Sequence, residues 1–113
     1  MDLNEYQAIA HSTAQYPNVG DNLPYLGLGI AGEAGEVADK VKKFIRDSAF
    51  TGVADLSDEQ KNDLALELGD VLWYIAQIAT ETGVDMDTVA RMNTEKLSSR
   101  IERGKLGGSG DNR

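Results

Sequence analysis

The stretch of sequence that decides the fold class is residues 64–78, LALELGDVLWYIAQI. Its apolar residues recur every three or four positions, which is the period of an amphipathic helix. They are Leu64, Leu68, Val71, Ile75 and Ile78. The helical period dominates the rest of the chain as well, and no segment alternates apolar and polar residues as a half-buried strand would. The sequence therefore predicts an all-α protein.

Capping signals divide the chain into four helices. Asp2 with Glu5, and Ser57 with Gln60, have the spacing of a capping box, and Asp85 can cap the last helix. The predicted helices cover about residues 3–16, 24–47, 58–82 and 86–103. We expect one domain over residues 1–104 with the form of a four-helix bundle. Residues 105–113, rich in glycine, are predicted to be a flexible C-terminal tail.

Length, charge and composition exclude several classes of protein. A chain of 113 residues holds one small core, or a share of a core built with a second copy. The net charge of −8 argues against long nucleic acid as a partner. No apolar run is long enough to span a membrane, and the acidic start is unlike a secretory signal, so we expect a cytoplasmic protein. Without cysteine, the metal ligands available are oxygen atoms and His11, which favours Mg²⁺.

Two acidic pairs repeat the pattern acid-x-Gly-acid-Val on the second and third helices. They are Glu33 with Glu36, and Glu67 with Asp70. Residues three apart share a helix face, and each pair lies beside the apolar side of its helix. If the two apolar sides pack together, all four carboxylates meet at one margin of the core.

Two interpretations of these carboxylates are open from the residues alone. They can be solvated helix faces with lysine partners four residues away, such as Lys40 for Glu36. Alternatively, they can form a cage of hard oxygen ligands around Mg²⁺, which keeps positions for water and for ligand phosphates.

The acidic pairs and their surroundings resemble the MazG-type all-α nucleoside triphosphate pyrophosphohydrolases. That family has a Glu-x-x-Glu motif followed, a helix and a loop later, by Glu-x-x-Asp. Residues 29–37, GIAGEAGEV, and residues 66–74, LELGDVLWY, are similar to the two motif regions, and residues 93–100, NTEKLSSR, are similar to the last helix of the family. The interval between the acid motifs is long for the family.

The resemblance implies Mg²⁺-dependent hydrolysis of an NTP or dNTP between the α and β phosphates, with Mn²⁺ as a substitute cation. The products would be a nucleoside monophosphate and pyrophosphate, in nucleotide-pool cleaning or balancing. Glu33, Glu36, Glu67 and Asp70 would be the metal ligands and catalytic residues. A homodimer or homotetramer is also implied. The alternatives are a phosphoribosyl-ATP pyrophosphohydrolase of histidine synthesis, and a non-catalytic module for nucleotide binding or oligomerisation.

The predicted fourth helix supplies candidates for substrate binding. Asn93, Lys96, Arg100 and Arg103 lie three or four residues apart on one face. Lysine and arginine there can bind the negatively charged phosphates, and Asn93 can hydrogen-bond the sugar or the base. A basic helix face that is only solvated would have the same pattern. Trp73 is predicted either to stack on the base or to fill a subunit contact.

Overall fold

Helices account for all the regular secondary structure of the protein. A computed structural model describes residues 1–113, and its elements follow in chain order. They are the helices α1 (Leu3–Ser12), α2 (Leu23–Asp47), α3 (Asp58–Glu81) and α4 (Met86–Glu102), with a 3₁₀-helix (Val53–Asp55) between α2 and α3. The predicted all-α class is confirmed. None of the helices combines the length and the apolar character needed to cross a membrane.

Two of the helices begin at the predicted capping boxes. The Asp2 carboxylate accepts a hydrogen bond of 2.8 Å from the Glu5 amide, and the Glu5 carboxylate accepts one of 3.2 Å from the Asp2 amide. Ser57 and Gln60 exchange the same pair of bonds at the start of α3. These bonds satisfy amide groups that have no partner within the helix, so the sequence locates both helix starts.

The first helix is shorter than the sequence predicts. It ends at Ser12 instead of near Tyr16, and Thr13 is its C-cap residue. The Thr13 hydroxyl accepts a hydrogen bond of 2.8 Å from the Trp73 indole, and the buried Tyr16 donates its hydroxyl to the Glu81 carboxylate. Because Trp73 and Glu81 lie on α3, contacts distant in sequence hold this segment outside the helix.

One carboxylate ties the loop between α1 and α2 to α3. Besides the Tyr16 hydroxyl, Glu81 accepts the amides of Gly20 at 3.3 Å and Asn22 at 2.6 Å. Desolvation raises the pKa of Glu81, but these hydrogen bonds outweigh it and hold the pKa below its ordinary value. Asn22 is the N-cap residue of α2, so Glu81 fixes the position at which α2 begins.

The central helix of the bundle is α3. α2 packs along α3 and contacts no other helix, whereas α1 packs on both α3 and α4. α4 contacts α3 as well but does not reach α2. Gly29 of α2 faces Tyr74 of α3, and Lys40 lies near Glu67, so the two helices run antiparallel. This α2/α3 pair carries both acid motifs.

The hydrophobic core is small. The apolar residues buried in it are Ala10, Tyr16, Leu26, Phe44, Ala76, Ala79 and Met86. Seventeen large apolar side chains are exposed, among them Leu28 at 77%. Leu68, one of the apolar residues that recur along residues 64–78, is also exposed, at 53%. A single chain therefore leaves several helix faces without an apolar partner.

Candidate metal centre

Three carboxylates from α2 and α3 meet on one side of the helix pair. α2 contributes Glu33, and α3 contributes Glu67 and Asp70, which share a helix face because they lie three residues apart. One carboxylate oxygen of each residue lies within 4.8 Å of those of the other two. Glu33 and Glu67 are half-buried and Asp70 is exposed, so this acid group lies at the margin of the helix packing.

The members of the acid group repel one another. Partial burial, and after it the charges of neighbouring acids, raise the pKa of Glu33 above its ordinary 4.5. The acids responsible are Asp70, Glu67 and Glu36. Only one ion pair of the structure reaches the group, between the Lys40 Nζ and the Glu67 carboxylate at 3.8 Å. One lysine cannot neutralise three carboxylates, so the group retains a negative field that attracts cations.

The donor set fits a small, hard divalent cation. Mg²⁺ binds oxygen at about 2.0–2.1 Å, so opposite ligands of one ion lie about 4.2 Å apart. The carboxylate oxygens of the acid group lie within 4.8 Å of one another, which is close to this separation. His11, the one histidine, is not in the group and hydrogen-bonds the buried Gln77 at 3.2 Å. The acid group therefore offers oxygen ligands alone.

Glu36, the fourth predicted ligand, lies outside the acid group. Its side chain is exposed, three residues beyond Glu33 on α2. The sequence suggests Lys40 as its helical partner, but Lys40 pairs with Glu67 across the helix interface. Sequence spacing cannot reveal that pairing, because it depends on the register between α2 and α3. The structure thus brings together three of the four predicted carboxylates and leaves Glu36 at their edge.

The helices that carry the two acid motifs match a known protein family. Residues 23–104 match the family model of the MazG nucleotide pyrophosphohydrolase domain. The chain belongs to the MazG nucleotide pyrophosphohydrolase family. The match includes α2, α3 and α4, so both acid motifs lie inside the MazG domain, and α1 precedes it. The resemblance inferred from the sequence is confirmed.

Two relatives extend this comparison. The chain is 48% identical to the Gene 37 protein of Mycobacterium phage L5, in an alignment that covers the whole of both proteins. It is 35% identical to the Uncharacterized protein YvdC of Bacillus subtilis (strain 168), over 70% of this chain and 76% of that protein. No solved structure matches the chain.

Two predicted substrate-binding residues of the MazG domain line a groove between α3 and α4. Asn93, Lys96 and Thr82 are its polar lining residues. Apolar side chains such as Ile78 and Met92 line the rest of the groove, whose volume is about 510 Å³. Ile78 lies eight residues beyond Asp70, which is about 12 Å along α3. Since α4 does not contact α2, the groove and the acid group are separate features of a single chain.

Three basic residues at the C-terminal end of α4, Lys96, Arg100 and the C-cap Arg103, bind the C-terminal tail. Arg100 is buried, and its Nη2 donates to the Asp111 carbonyl at 2.7 Å. The Asp111 carboxylate pairs with Lys96 at 3.2 Å, and this hydrogen bond holds the pKa of Asp111 below its ordinary value. Arg103 donates to the Arg113 carbonyl. The cationic side chains that the sequence analysis proposes as phosphate ligands are therefore bound to oxygen atoms of the tail.

Trp73 belongs to an aromatic cluster within the MazG chain. Its ring packs edge-on against Tyr74, at 5.0 Å between centroids, and against Tyr16, at 6.3 Å. Tyr16 in turn stacks on Tyr25 at 5.3 Å. Trp73 is half-buried, while Tyr25 is exposed. The cluster joins α3 to the start of α2, so Trp73 makes its aromatic contacts within one chain.

Proposed function

We propose that this protein is a Mg²⁺-dependent pyrophosphohydrolase that cleaves an NTP or dNTP between the α and β phosphates. The observation that carries the proposal is the convergence of Glu33, Glu67 and Asp70 from two helices. Membership of the MazG family supports the same class of reaction. The cellular role we propose is the cleaning or balancing of the nucleotide pool in the cytoplasm.

The carboxylates of the acid group would hold the cation. Once bound, Mg²⁺ or Mn²⁺ would neutralise phosphate charge and lower the pKa of a water molecule. Lys40 partly compensates the charge of Glu67 and keeps its carboxylate directed toward α2. We assign to Glu36 the role of a further ligand, since its exposed side chain lies close enough to Glu33 to raise the pKa of that carboxyl. One of these carboxylates orients or deprotonates the attacking water.

The polar residues of α4 and the aromatic cluster would bind the substrate. Lys96 and Arg100 already engage a carboxylate and a carbonyl of the tail, which supports their role with phosphate oxygens. We assign Asn93 to the sugar or base and Arg103 to phosphate. Trp73 would stabilise the base through the aromatic cluster, whose exposed member is Tyr25.

We also propose that the protein is a homodimer or homotetramer. The small core and the seventeen exposed large apolar residues support this proposal, because a second copy could cover the free helix faces. Light scattering should then give a mass of two or four times the 12.2 kDa chain. A mass of one chain at micromolar concentration would contradict the proposal.

A panel of nucleotides tests the function directly. Purified protein with Mg²⁺ should release pyrophosphate from at least one NTP or dNTP. EDTA should remove the activity, and added Mg²⁺ or Mn²⁺ should restore it, because the acid group depends on a cation to gather phosphates. Activity that survives rigorous chelation would rule out the metal mechanism.

The same panel, with phosphoribosyl-ATP added, separates the alternatives. Turnover of phosphoribosyl-ATP alone would identify the enzyme of histidine synthesis. Nucleotide binding without any release of pyrophosphate would identify a non-catalytic module.

A further inference from the structure

One glycine of α2 lies directly against an aromatic ring of α3. If Gly29 carried a Cβ atom, that atom would lie less than 3.0 Å from three ring atoms of Tyr74. The other glycines of α2 have no heavy atom of a neighbouring element within 4 Å of the same position. They are Gly27, Gly32 and Gly35. The Tyr74 ring therefore occupies the space that any residue other than glycine would need at position 29.

This contact lies about one helical turn from the acid group on both helices. Gly29 precedes Glu33 by four residues on α2, and Tyr74 follows Asp70 by four residues on α3. Because the helices are antiparallel, both steps run in the same direction, for about 6 Å along each helix. The spacing between the helices at Gly29 therefore influences the spacing between Glu33 and Asp70.

The Tyr74 ring is held by its neighbours. Trp73 packs edge-on against it, with centroids 5.0 Å apart and an interplanar angle of 81°. The Trp73 indole is fixed in turn by its hydrogen bond of 2.8 Å to the Thr13 hydroxyl. The ring cannot move away from a new Cβ at Gly29 without disturbing this packing. A larger residue at position 29 would instead push α2 away from α3.

We propose that Gly29 and Tyr74 are positioning residues, which set the separation of α2 and α3 that brings Glu33 within ligand distance of Glu67 and Asp70. The inference rests on the proposed cation site. The geometry of that site then depends on the contact between the Gly29 backbone and the Tyr74 ring, although neither residue is a metal ligand. Helix pairs approach closely where a glycine leaves room, and metal affinity is sensitive to sub-ångström displacement of the ligands.

The test compares Gly29→Ala with Gly27→Ala, a matched change on the same helix where a Cβ meets open space. Mn²⁺ binding is measured by the EPR signal of the free ion, and unfolding temperature is measured in EDTA. Alanine is the better helix former, so Gly27→Ala should be at least as stable as wild type, with the wild-type Mn²⁺ affinity. Gly29→Ala should bind Mn²⁺ at least about 10-fold more weakly at temperatures where it is fully folded.

Repeating Gly29→Ala in a Tyr74→Ala protein shows whether the Tyr74 ring causes the loss of Mn²⁺ affinity. In Tyr74→Ala protein the obstacle is absent, so adding Gly29→Ala should cost no further Mn²⁺ affinity. This comparison also decides the matter if Gly29→Ala alone does not fold. Wild-type affinity in folded Gly29→Ala, or an equal loss in both backgrounds, overturns the positioning role and leaves the proposed function intact. A wild-type protein that binds no Mn²⁺ overturns the cation site and this inference together.

Discussion

Replacement of Glu67 by Gln is expected to lower kcat/KM for pyrophosphate release by about 100-fold or more. Gln keeps the shape of the side chain but removes the charge, and Glu67 is the member of the acid group that lies nearest to Lys40. With two carboxylates left, the group holds a divalent cation less well. Steady-state kinetics on the best nucleotide, together with Mn²⁺ binding, measures both losses.

The stability of the metal-free variant separates loss of the site from loss of the fold. The pKa of Glu33 is raised in the folded protein, partly by Glu67, so the folded state binds this proton more tightly than the unfolded state. Tighter proton binding by Glu33 stabilises the folded protein. This contribution to the free energy of unfolding is fully present below pH 4.5, and it is lost as the pH rises through the raised pKa of Glu33 in the folded state. Removing the Glu67 charge reduces that loss, so Glu67→Gln should melt no lower than wild type at pH 7 in EDTA.

A control on the same helix completes this experiment. Glu59→Gln changes an exposed carboxylate in the first turn of α3, outside the acid group, and should retain the kinetics of wild type. Full activity in Glu67→Gln, or an equal loss in Glu59→Gln, would contradict the assignment of Glu67.

Replacement of Leu26 by Ala should lower the free energy of unfolding by about 3 kcal/mol. Leu26 has no exposed surface, so truncation removes buried apolar contacts and leaves a cavity in a core of few residues. Alanine and leucine are both strong helix formers, so the effect comes from packing and not from helix propensity. The unfolding temperature should fall by roughly 10–20 °C, and urea titration gives the free energy.

Leu28 provides the matched comparison two residues further along α2. It is 77% exposed, so Leu28→Ala should change the free energy of unfolding by less than about 0.5 kcal/mol. Similar losses in the two variants would show that Leu26 is not the deciding core contact at this end of α2.

The features predicted well from the sequence are those with local causes. Capping boxes at Asp2 and Ser57 fix two helix starts, because the bonded groups lie within four residues of one another. The placement of Glu67 and Asp70 on one face of α3 follows from their i, i+3 spacing. In each case the spacing of the residues along one helix determines which groups can meet.

The features that the sequence could not supply depend on the register between helices. Lys40 pairs across the interface with Glu67, although the local rule points to Glu36. The early end of α1 depends on contacts with α3, which are distant in sequence. Gly29 is one of several glycines in α2, and its role becomes visible only when Tyr74 is placed against it. Such contacts join residues that no local pattern relates.

Among the helices, α2 packs only on α3, and this affects how easily the protein opens locally. With no second helical partner, α2 is held by its interface with α3 and by the stack of Tyr25 on Tyr16, so separation of α2 from α3 is the local unfolding event that breaks the fewest contacts between helices. A ligand bound by both Glu33 and Asp70, as we propose, would act as a reversible cross-link between α2 and α3. It would close a loop of chain and suppress the states in which the two helices have separated. The fraction of protein with ligand in the acid group and the fraction with α2 packed on α3 would then rise and fall together.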